Sequence, residues 1–146
     1  MKVSDLMTRE PAACRPGDPC AQAAMRMREE DCGAIPVVES GRLVGIVTDR
    51  DIAIRCVAAG RDPKATPISD VMSADPITVT PDATAEEASR IMAERQVSRL
   101  PVVDDGRLVG IVVTAQLARR ESAGQVGETI KEISEPATGR ASHARG

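Results

Sequence analysis

The sequence predicts a mixed α/β (α+β) fold built from two tandem repeats, each with the element order β-α-β-β-α. Two observations carry this prediction. A shift of 65 residues superimposes the chain on itself, with about twenty identical positions and no gap, and self-similarity at a fixed period marks a repeat architecture. Within each copy, apolar residues at helical spacing alternate with short β-branched runs bounded by Pro and Gly.

The repeats divide the chain into four parts, namely a first copy at 1–60, a linker at 61–67, a second copy at 68–122 and a partly disordered C-terminal extension at 123–146. About 55 residues is marginal for an independent fold, so we expect the two copies to pack against each other through their sheets. Within the extension we expect one short helix at Val126–Ile133 and a frayed tail from Pro136 onward.

The first helix of each copy has a start signal. Asp18-Pro19 combines an N-cap residue with a proline at the first helical position, and Thr84 with Glu87 predicts a capping box. Helices are therefore predicted at about 19–31 and 85–96. Apolar residues at helical spacing predict their core-facing side chains, which are Ala23, Met25, Met27, Ala88, Ile91 and Met92.

A hairpin follows the first helix of each copy. Its turn is Ser40-Gly41 or Asp105-Gly106, and these residue types suit the left-handed backbone of a tight two-residue turn. The predicted strands are Ile35–Glu39, Leu43–Val47, Leu100–Asp104 and Leu108–Val113, and shorter extended segments precede the helices at Ala12–Cys14 and Ile77–Val79. Closing helices are predicted from about Asp49 to Ala58 and from about Ala115 to Glu121.

Composition argues against several classes of function. The chain has 146 residues, a formal net charge of −3 and no Phe, Tyr or Trp. Binding to nucleic acid needs a concentrated basic surface and commonly uses aromatic rings on which bases stack, so we expect no nucleic-acid partner. No apolar run approaches the roughly 20 residues of a membrane span, and the first ten residues do not read as a signal peptide. We therefore expect no membrane partner and a cytoplasmic location.

The chemistry-bearing side chains form no catalytic or metal-binding motif. Cys14, Cys20, Cys32 and Cys56 lack the spacing of a zinc site. The repeat counterparts of the first three are small apolar residues, which favours packing as small hydrophobic side chains; a redox role, such as a disulfide involving Cys14, is the alternative. The single histidine, His143, lies in the predicted tail, away from any nucleophile. We predict no metal, no obligatory cofactor and no enzymatic activity.

Four motifs together resemble the cystathionine-β-synthase (CBS) domain family, and specifically small proteins made of one CBS pair. They are the Ser-Asp-Leu-Met opening, the Pro-Val-Val strand, the Gly-Arg-Leu-Val-Gly-Ile-Val hairpin and the helix start after it. Thr48-Asp49-Arg50-Asp51-Ile52 is also similar to small bacterial stress-response and hypoxia-response members. The resemblance covers residues 1–122 and implies two CBS repeats about a pseudo-twofold axis, clefts between them, a homodimer and adenine-nucleotide ligands.

The resemblance also implies a ligand site at the strand-to-helix junction of repeat 1. In the family, a Thr/Ser-x-x-Asp sequence here holds ribose and phosphate, and it corresponds to Thr48 and Asp51. The chemistry agrees, because unpaired N–H groups at a helix start suit a phosphate and a carboxylate accepts hydrogen bonds from ribose hydroxyls. Capping the helix explains Thr48 but does not require Asp51, which favours ligand binding.

The other site residues that the resemblance implies surround this junction. Ala13 and Cys14 would supply backbone groups and one wall for the base, and Ala34, Ile35 and Pro36 would supply the opposite wall. Arg50 and Arg99 are candidate phosphate partners, with surface ion pairs as the alternative for each.

The second repeat departs from this pattern, because Val113 stands where repeat 1 has Thr48 and Gln116 stands where it has Asp51. We therefore predict one competent ribose site and a weaker or empty second cleft. The leading hypothesis is an energy or stress sensor that binds AMP, ADP, ATP or an adenosyl ligand and acts through dimer packing on an unknown partner protein. The alternative is a ligand-free structural or interaction dimer, redox-responsive through its cysteines, and a nucleotide-hydrolysing enzyme is a third hypothesis.

Overall fold

The structure is a computed structural model that describes residues 1–120, without the side chains of residues 119 and 120. The helix expected at Val126–Ile133, the tail from Pro136 and His143 lie outside the described residues. The chain divides into two compact units. Unit 2 is Ala12–Pro76, whereas unit 1 combines Met1–Pro11 with the chain from Ile77 onward. Each unit therefore contains the opening segment of the other sequence repeat.

The elements of the described residues are, in chain order, a 3-10 turn (Val3–Asp5), β1 (Thr8–Arg9), α1 (Cys20–Glu30), β2 (Ala34–Glu39), β3 (Arg42–Thr48), α2 (Asp49–Asp51), a π-helical segment (Ile52–Val57), a second 3-10 turn (Ile68–Asp70), α3 (Ala85–Arg95), β4 (Arg99–Asp104), β5 (Arg107–Val113) and α4 (Thr114–Arg120). The predicted helices and the four hairpin strands are confirmed, with ends that differ by one or two residues. The strands expected at Ala12–Cys14 and Ile77–Val79 are wrong as strands, because only Cys14 and Val79 pair there, as isolated bridges to Val37 and Val102. One difference is the π-helical segment, which continues α2 where an ordinary helix was predicted.

The hairpins form as the turn residues predict. In unit 2, β2 pairs with β3 in antiparallel register. In unit 1, β4 pairs with β5, and the short β1 pairs with the opposite edge of β5. Both hairpin turns have two consecutive residues with positive φ, 52° and 82° at Ser40 and Gly41 and the same values at Asp105 and Gly106. This backbone matches the twist of the flanking strands.

The opening segment of each copy approaches a strand too closely for a side chain on that strand. A Cβ at Gly45 would lie 2.8 Å from Met72 Sδ and 2.8 Å from the Ser73 carbonyl oxygen. In unit 1, a Cβ at Gly110 would lie 2.5 Å from Met7 Sδ and 2.9 Å from the Thr8 carbonyl oxygen. Glycine at these two equivalent positions therefore lets a second backbone pass directly over the strand.

Each unit has its own aliphatic core. The core of unit 2 includes all four cysteines with Ile35, Val37, Val47 and Ile68, and that of unit 1 includes Val3, Met92, Leu100, Val112 and Leu117. The predicted core face of α1 is correct for Ala23 and Met27 but wrong for Met25, which is 47% exposed. Helical geometry explains the difference, because Met25 is two positions from both and therefore points away from their face. No helix within residues 1–120 is long and apolar enough to cross a bilayer.

The start of α1 differs from the sequence prediction. Pro19 rather than Asp18 is the N-cap residue, and the Asp18 carboxylate accepts from the Arg15 N–H at 2.9 Å instead. The first-turn N–H groups find their acceptors on the linker: Cys20 donates to the Thr66 carbonyl at 2.9 Å, and the next residue donates to that of Pro63 at 2.9 Å. A distant segment thus performs the capping that was predicted for a local side chain.

The start of α3 follows the prediction in part. The Thr84 hydroxyl oxygen accepts from the Glu87 N–H at 3.1 Å, which is the expected N-cap bond. The Glu87 carboxylate, however, accepts from the Thr84 hydroxyl at 3.3 Å rather than from its backbone N–H. The reciprocal half of the capping box is therefore missing here.

Candidate functional site

A complete capping box joins β3 to α2. The Asp51 N–H donates to Thr48 Oγ1 at 3.0 Å, and the Thr48 N–H donates to Asp51 Oδ2 at 2.9 Å. Thr48 is extended, with φ −115° and ψ 164°, so the strand ends and the helix begins at this residue. The argument that capping does not require Asp51 is therefore wrong, because its carboxylate supplies half of the box.

The backbone N–H groups at the start of α2 are all occupied. Asp49 N–H donates to the Gly33 carbonyl oxygen at 2.9 Å, and Arg50 N–H donates to Asp49 Oδ1 at 2.8 Å. Asp51 N–H is held in the capping box. The expectation of unpaired N–H groups waiting for a phosphate is thus wrong, since the Gly33 carbonyl and two side chains of this short segment satisfy them.

Three polar groups at the junction retain binding capacity. Asp51 Oδ1 has no hydrogen-bond partner among residues 1–120, because only Oδ2 takes part in the capping box. The Thr48 hydroxyl accepts one bond and keeps its own hydrogen for donation. The Arg50 side chain is exposed and forms no ion pair within the part of the chain that the structure describes. Within four residues the junction thus offers an anionic acceptor, a neutral donor and a cation.

Backbone pairing in unit 2 brings the predicted walls to this junction. Ala34, the first residue of β2, lies opposite Thr48 in the β2–β3 register. On the other side of β2, the Cys14 N–H donates to the Pro36 carbonyl oxygen at 3.0 Å, and the Val38 N–H donates to the Cys14 carbonyl oxygen at 2.8 Å. The segment containing Cys14, then β2, then the end of β3 therefore lie side by side.

The predicted wall residues differ in how much surface they retain. Ile35, Cys14 and Ala34 are 1%, 3% and 6% exposed, and Pro36 is below 2%. The expectation that the Cys14 backbone is available to a ligand is wrong, since its N–H and C=O are both bonded to β2. Ala13 is half-buried, and its backbone N–H and C=O form no hydrogen bond within residues 1–120. Arg99 is the first residue of β4 and belongs to unit 1. Its phosphate contact stays a prediction.

The equivalent junction of repeat 2 is built differently. Gln116 Oε1 accepts from the Val113 N–H at 2.9 Å, as Asp51 does in repeat 1. Gln116 Nε2 donates to Thr8 Oγ1 at 2.6 Å, so both ends of this side chain have protein partners. Sequence reasoning missed Thr8, since 108 positions separate it from Gln116 and only the β1–β5 pairing brings it close.

The four cysteines are free and buried, which confirms that they pack as small hydrophobic side chains. Burial raises the pKa of the Cys14 thiol, and the Asp18 carboxylate raises it further, against a smaller opposing effect of Arg26. Burial, together with the adjacent Cys56 thiol, raises the pKa of Cys20 to about 11. These two thiols are therefore protonated at neutral pH and poor nucleophiles. Residues 1–120 contain no cluster of three side chains that could hold a metal ion.

Comparison with known proteins agrees with the repeat and its fold. The family model described as "CBS domain" matches residues 3–57 and 68–122. The CBS domain-containing protein YhcV of Bacillus subtilis is 44% identical over 133 residues, which is 90% of this chain and 94% of that protein. Hypoxic response protein 1 of Mycobacterium tuberculosis is 39% identical over 115 residues, covering 78% of this chain and 80% of its own length.

Solved structures include ligand complexes of similar folds. Hypoxic Response Protein I with two coordinated zinc ions has a TM-score of 0.76 at 36% identity, covering 83% of this chain and 99% of its own. CBSX2 in complex with AMP has a TM-score of 0.70 at 28% identity, covering 82% and 94%. The CBS domain pair of MJ0100 with 5-methylthioadenosine and S-adenosyl-L-methionine has a TM-score of 0.69 at 29% identity, also covering 82% and 94%.

Proposed function

This chain belongs to the CBS-domain family as a tandem pair, and we propose that it is a cytoplasmic regulatory protein that binds an adenine nucleotide and catalyses no reaction. Two similar CBS-pair structures contain adenosine-based ligands, which are AMP in one and methylthioadenosine and S-adenosylmethionine in the other. AMP, ADP and ATP are the first ligands to test, and adenosyl compounds come next.

The observation that carries the proposal is the divided role of the Asp51 carboxylate. One oxygen closes the capping box and so fixes the orientation of the side chain. The other oxygen is left as an anionic acceptor beside the Thr48 hydroxyl, which suits the neighbouring hydroxyls of a ribose. The helix cap thus holds the ribose acceptor in position before any ligand arrives, and so reduces the entropy lost on binding.

The adenine ring would be recognised without aromatic stacking, because the chain has none of the three aromatic residues. The unpaired N–H and C=O of Ala13 offer one donor and one acceptor, which is the pattern needed to read an adenine edge. Ala34, at 6% exposed, would supply the small apolar contact surface that this segment retains, and the fully buried Ile35 and Pro36 would support it from the core. Arg50 would pair with phosphate.

Regulation would follow from a difference in ligand affinity between two states. A ligand shifts an equilibrium only by the difference in its affinity for them, so we propose that nucleotide binding changes the packing of a homodimer and its contact with a partner protein. Repeat 2 would contribute little binding, since Gln116 is already bonded to Val113 and Thr8.

The test is the variant Asp51→Asn. The amide oxygen can still accept from the Thr48 N–H, as Gln116 does for Val113, so the helix cap survives. The other carboxylate oxygen, Oδ1, is replaced by the amide nitrogen, which donates hydrogen bonds and cannot accept them. Losing a hydrogen bond to a charged group costs about 1.5–3 kcal/mol, so the Kd for the nucleotide should rise about ten- to a hundredfold. Asp49→Asn removes a carboxylate charge two residues earlier in the same segment, and it should leave the Kd nearly unchanged.

Binding is measured by thermal shift and by equilibrium dialysis with AMP, ADP, ATP and methylthioadenosine. Dialysis is simple to read, because a chain without Trp, Tyr or Phe contributes almost no absorbance at the adenine maximum. Equal affinity of Asp51→Asn and wild type would reject the site. If none of the four ligands binds the wild type at millimolar concentration, the nucleotide proposal fails and the ligand-free interaction module replaces it.

A further inference from the structure

Two buried thiols of the unit 2 core are each bonded to the linker. Cys20 is the first residue of α1 and Cys56 lies in the π-helical segment, and both are 0% exposed in the same core. The Cys56 thiol is close enough to the Cys20 thiol to raise its pKa. Since 35 residues separate the two in the chain, only the packing of α1 against the π-helical segment brings them together.

The other two cysteines of this core are oriented elsewhere. Cys32 Sγ donates to the Ala34 carbonyl oxygen at 3.5 Å. Burial and the charges of Asp18 and Arg26 shift the pKa of Cys14, and no thiol is among the groups that act on it. The second repeat has Ala85 and Glu121 at the positions of Cys20 and Cys56. The paired thiols are thus a feature of unit 2 alone.

The linker (61–67) covers this pair and is bonded to both of its members. Cys20 Sγ approaches the Pro67 carbonyl oxygen at 3.9 Å, and Cys56 Sγ approaches that of Arg61 at 3.6 Å. Backbone bonds reinforce the contact, from the Cys20 N–H to the Thr66 carbonyl and from the Arg61 N–H to the Cys56 carbonyl, both at 2.9 Å. Arg61, at the start of the linker, also forms an ion pair of 2.7 Å with Asp70 in the second 3-10 turn.

We propose that Cys20 and Cys56 are a site of reversible oxidation, at which hydrogen peroxide converts the two thiols to an intrachain disulfide when the linker opens. In the open state one thiolate attacks the peroxide, the O–O bond breaks, and a sulfenic acid and hydroxide form. The second thiolate then attacks that sulfur, the S–S bond forms and hydroxide leaves as water. In total, two thiols and one peroxide give one disulfide and two waters, and a dithiol reverses the reaction.

The closed linker controls the rate of this reaction. In the closed state neither thiol reaches solvent, and the raised pKa of Cys20 keeps that thiol protonated, so attack requires opening. Oxidation also removes both S–H donors, so the carbonyls of Arg61 and Pro67 lose their sulfur partners. The disulfide therefore joins α1 to the π-helical segment and weakens the attachment of the linker. This inference does not depend on nucleotide binding.

The experiment uses the full chain with Cys14→Ser and Cys32→Ser, which leaves only the proposed pair. After treatment with hydrogen peroxide, the intact mass should fall by two hydrogens and return with dithiothreitol. Tryptic digestion should yield the peptide 10–26, which contains Cys20, linked to 56–61, which begins with Cys56. If the double variant does not fold, the linked peptides are sought in the wild type after alkylation of the free thiols, and fragmentation of peptide 10–26 must place the alkyl group on Cys14 and the link on Cys20.

Two further variants test control by the linker. Arg61→Ala removes the ion pair with Asp70. Loss of an exposed pair of this kind should favour opening of the linker and so speed oxidation about two- to fivefold. Lys64→Ala removes a charge from the same segment without breaking an ion pair and should leave the rate unchanged. The proposal is overturned if both thiols stay reduced under conditions that fully link the urea-unfolded chain, or if the folded wild type links Cys14 or Cys32 instead.

Discussion

Substitution of Gly45 by alanine tests whether the opening segment of repeat 2 is packed over β3 as tightly as the structure shows. The added Cβ would lie 2.8 Å from Met72 Sδ and 2.8 Å from the Ser73 carbonyl oxygen. The methionine side chain can move, but the carbonyl cannot move freely. Ser73 exchanges two backbone hydrogen bonds with Ile46, at 3.0 and 2.9 Å, and these hold its backbone against the strand.

The size of the effect follows from two opposing contributions. Forcing a methyl group into a filled space costs about 1–3 kcal/mol, and the obstacle at Gly45 includes fixed backbone, which places the cost in the upper part of that range. Alanine also restricts the unfolded chain, which returns about 0.4–1 kcal/mol. We therefore expect Gly45→Ala to lower the free energy of unfolding by about 1–2 kcal/mol, or the urea midpoint by about 1 M.

The assay is urea unfolding followed by far-ultraviolet circular dichroism, because a chain without Trp or Tyr has no useful intrinsic fluorescence. Gly17→Ala is the matched control, since nothing lies within 4 Å of a Cβ at that position. It should leave stability unchanged or raise it slightly through the unfolded state. If Gly45→Ala unfolds at the same urea concentration as Gly17→Ala, the close approach of Ser73 to β3 is wrong.

Three further predictions concern helix ends, pH and the second repeat. Asp31→Gly and Gln96→Gly should each raise the free energy of unfolding by up to about 1 kcal/mol in urea titrations, because both residues end a helix with φ of 52° and 54°. Because folding raises the pKa of Cys20, its protonated thiol contributes stability that is present below its ordinary pKa of 9.0 and lost as pH rises towards about 11. Cys20→Ala should therefore make the Tm depend less on pH between about 9 and 11. Val113→Thr with Gln116→Asp should add a second bound nucleotide per chain by dialysis, and unchanged stoichiometry would contradict the role given to Gln116.

The candidate site shows what a local sequence pattern can predict and what requires the structure. The Thr-x-x-Asp spacing at Thr48 and Asp51 is a local pattern, and it correctly located a strand-to-helix junction. The capping role of the Asp51 carboxylate was not predicted, because the Thr-x-x-Asp spacing was interpreted as a ligand motif and a capping box has the same spacing. Only the tertiary structure distinguishes Oδ2, which closes the cap, from Oδ1, which has no partner within residues 1–120.

By itself, the sequence determined the repeat, the helices, the four hairpin strands and the two hairpin turns. These follow from interactions between residues close in the chain, such as the positive φ at Ser40 and Gly41, which the residue types already favour. Only the tertiary structure decided that α1 is capped by the linker, that Thr8 is bonded to Gln116 and that Cys20 meets Cys56. Each of these contacts joins residues far apart in sequence, and no local propensity records which distant carbonyl, hydroxyl or thiol the packed core will bring near.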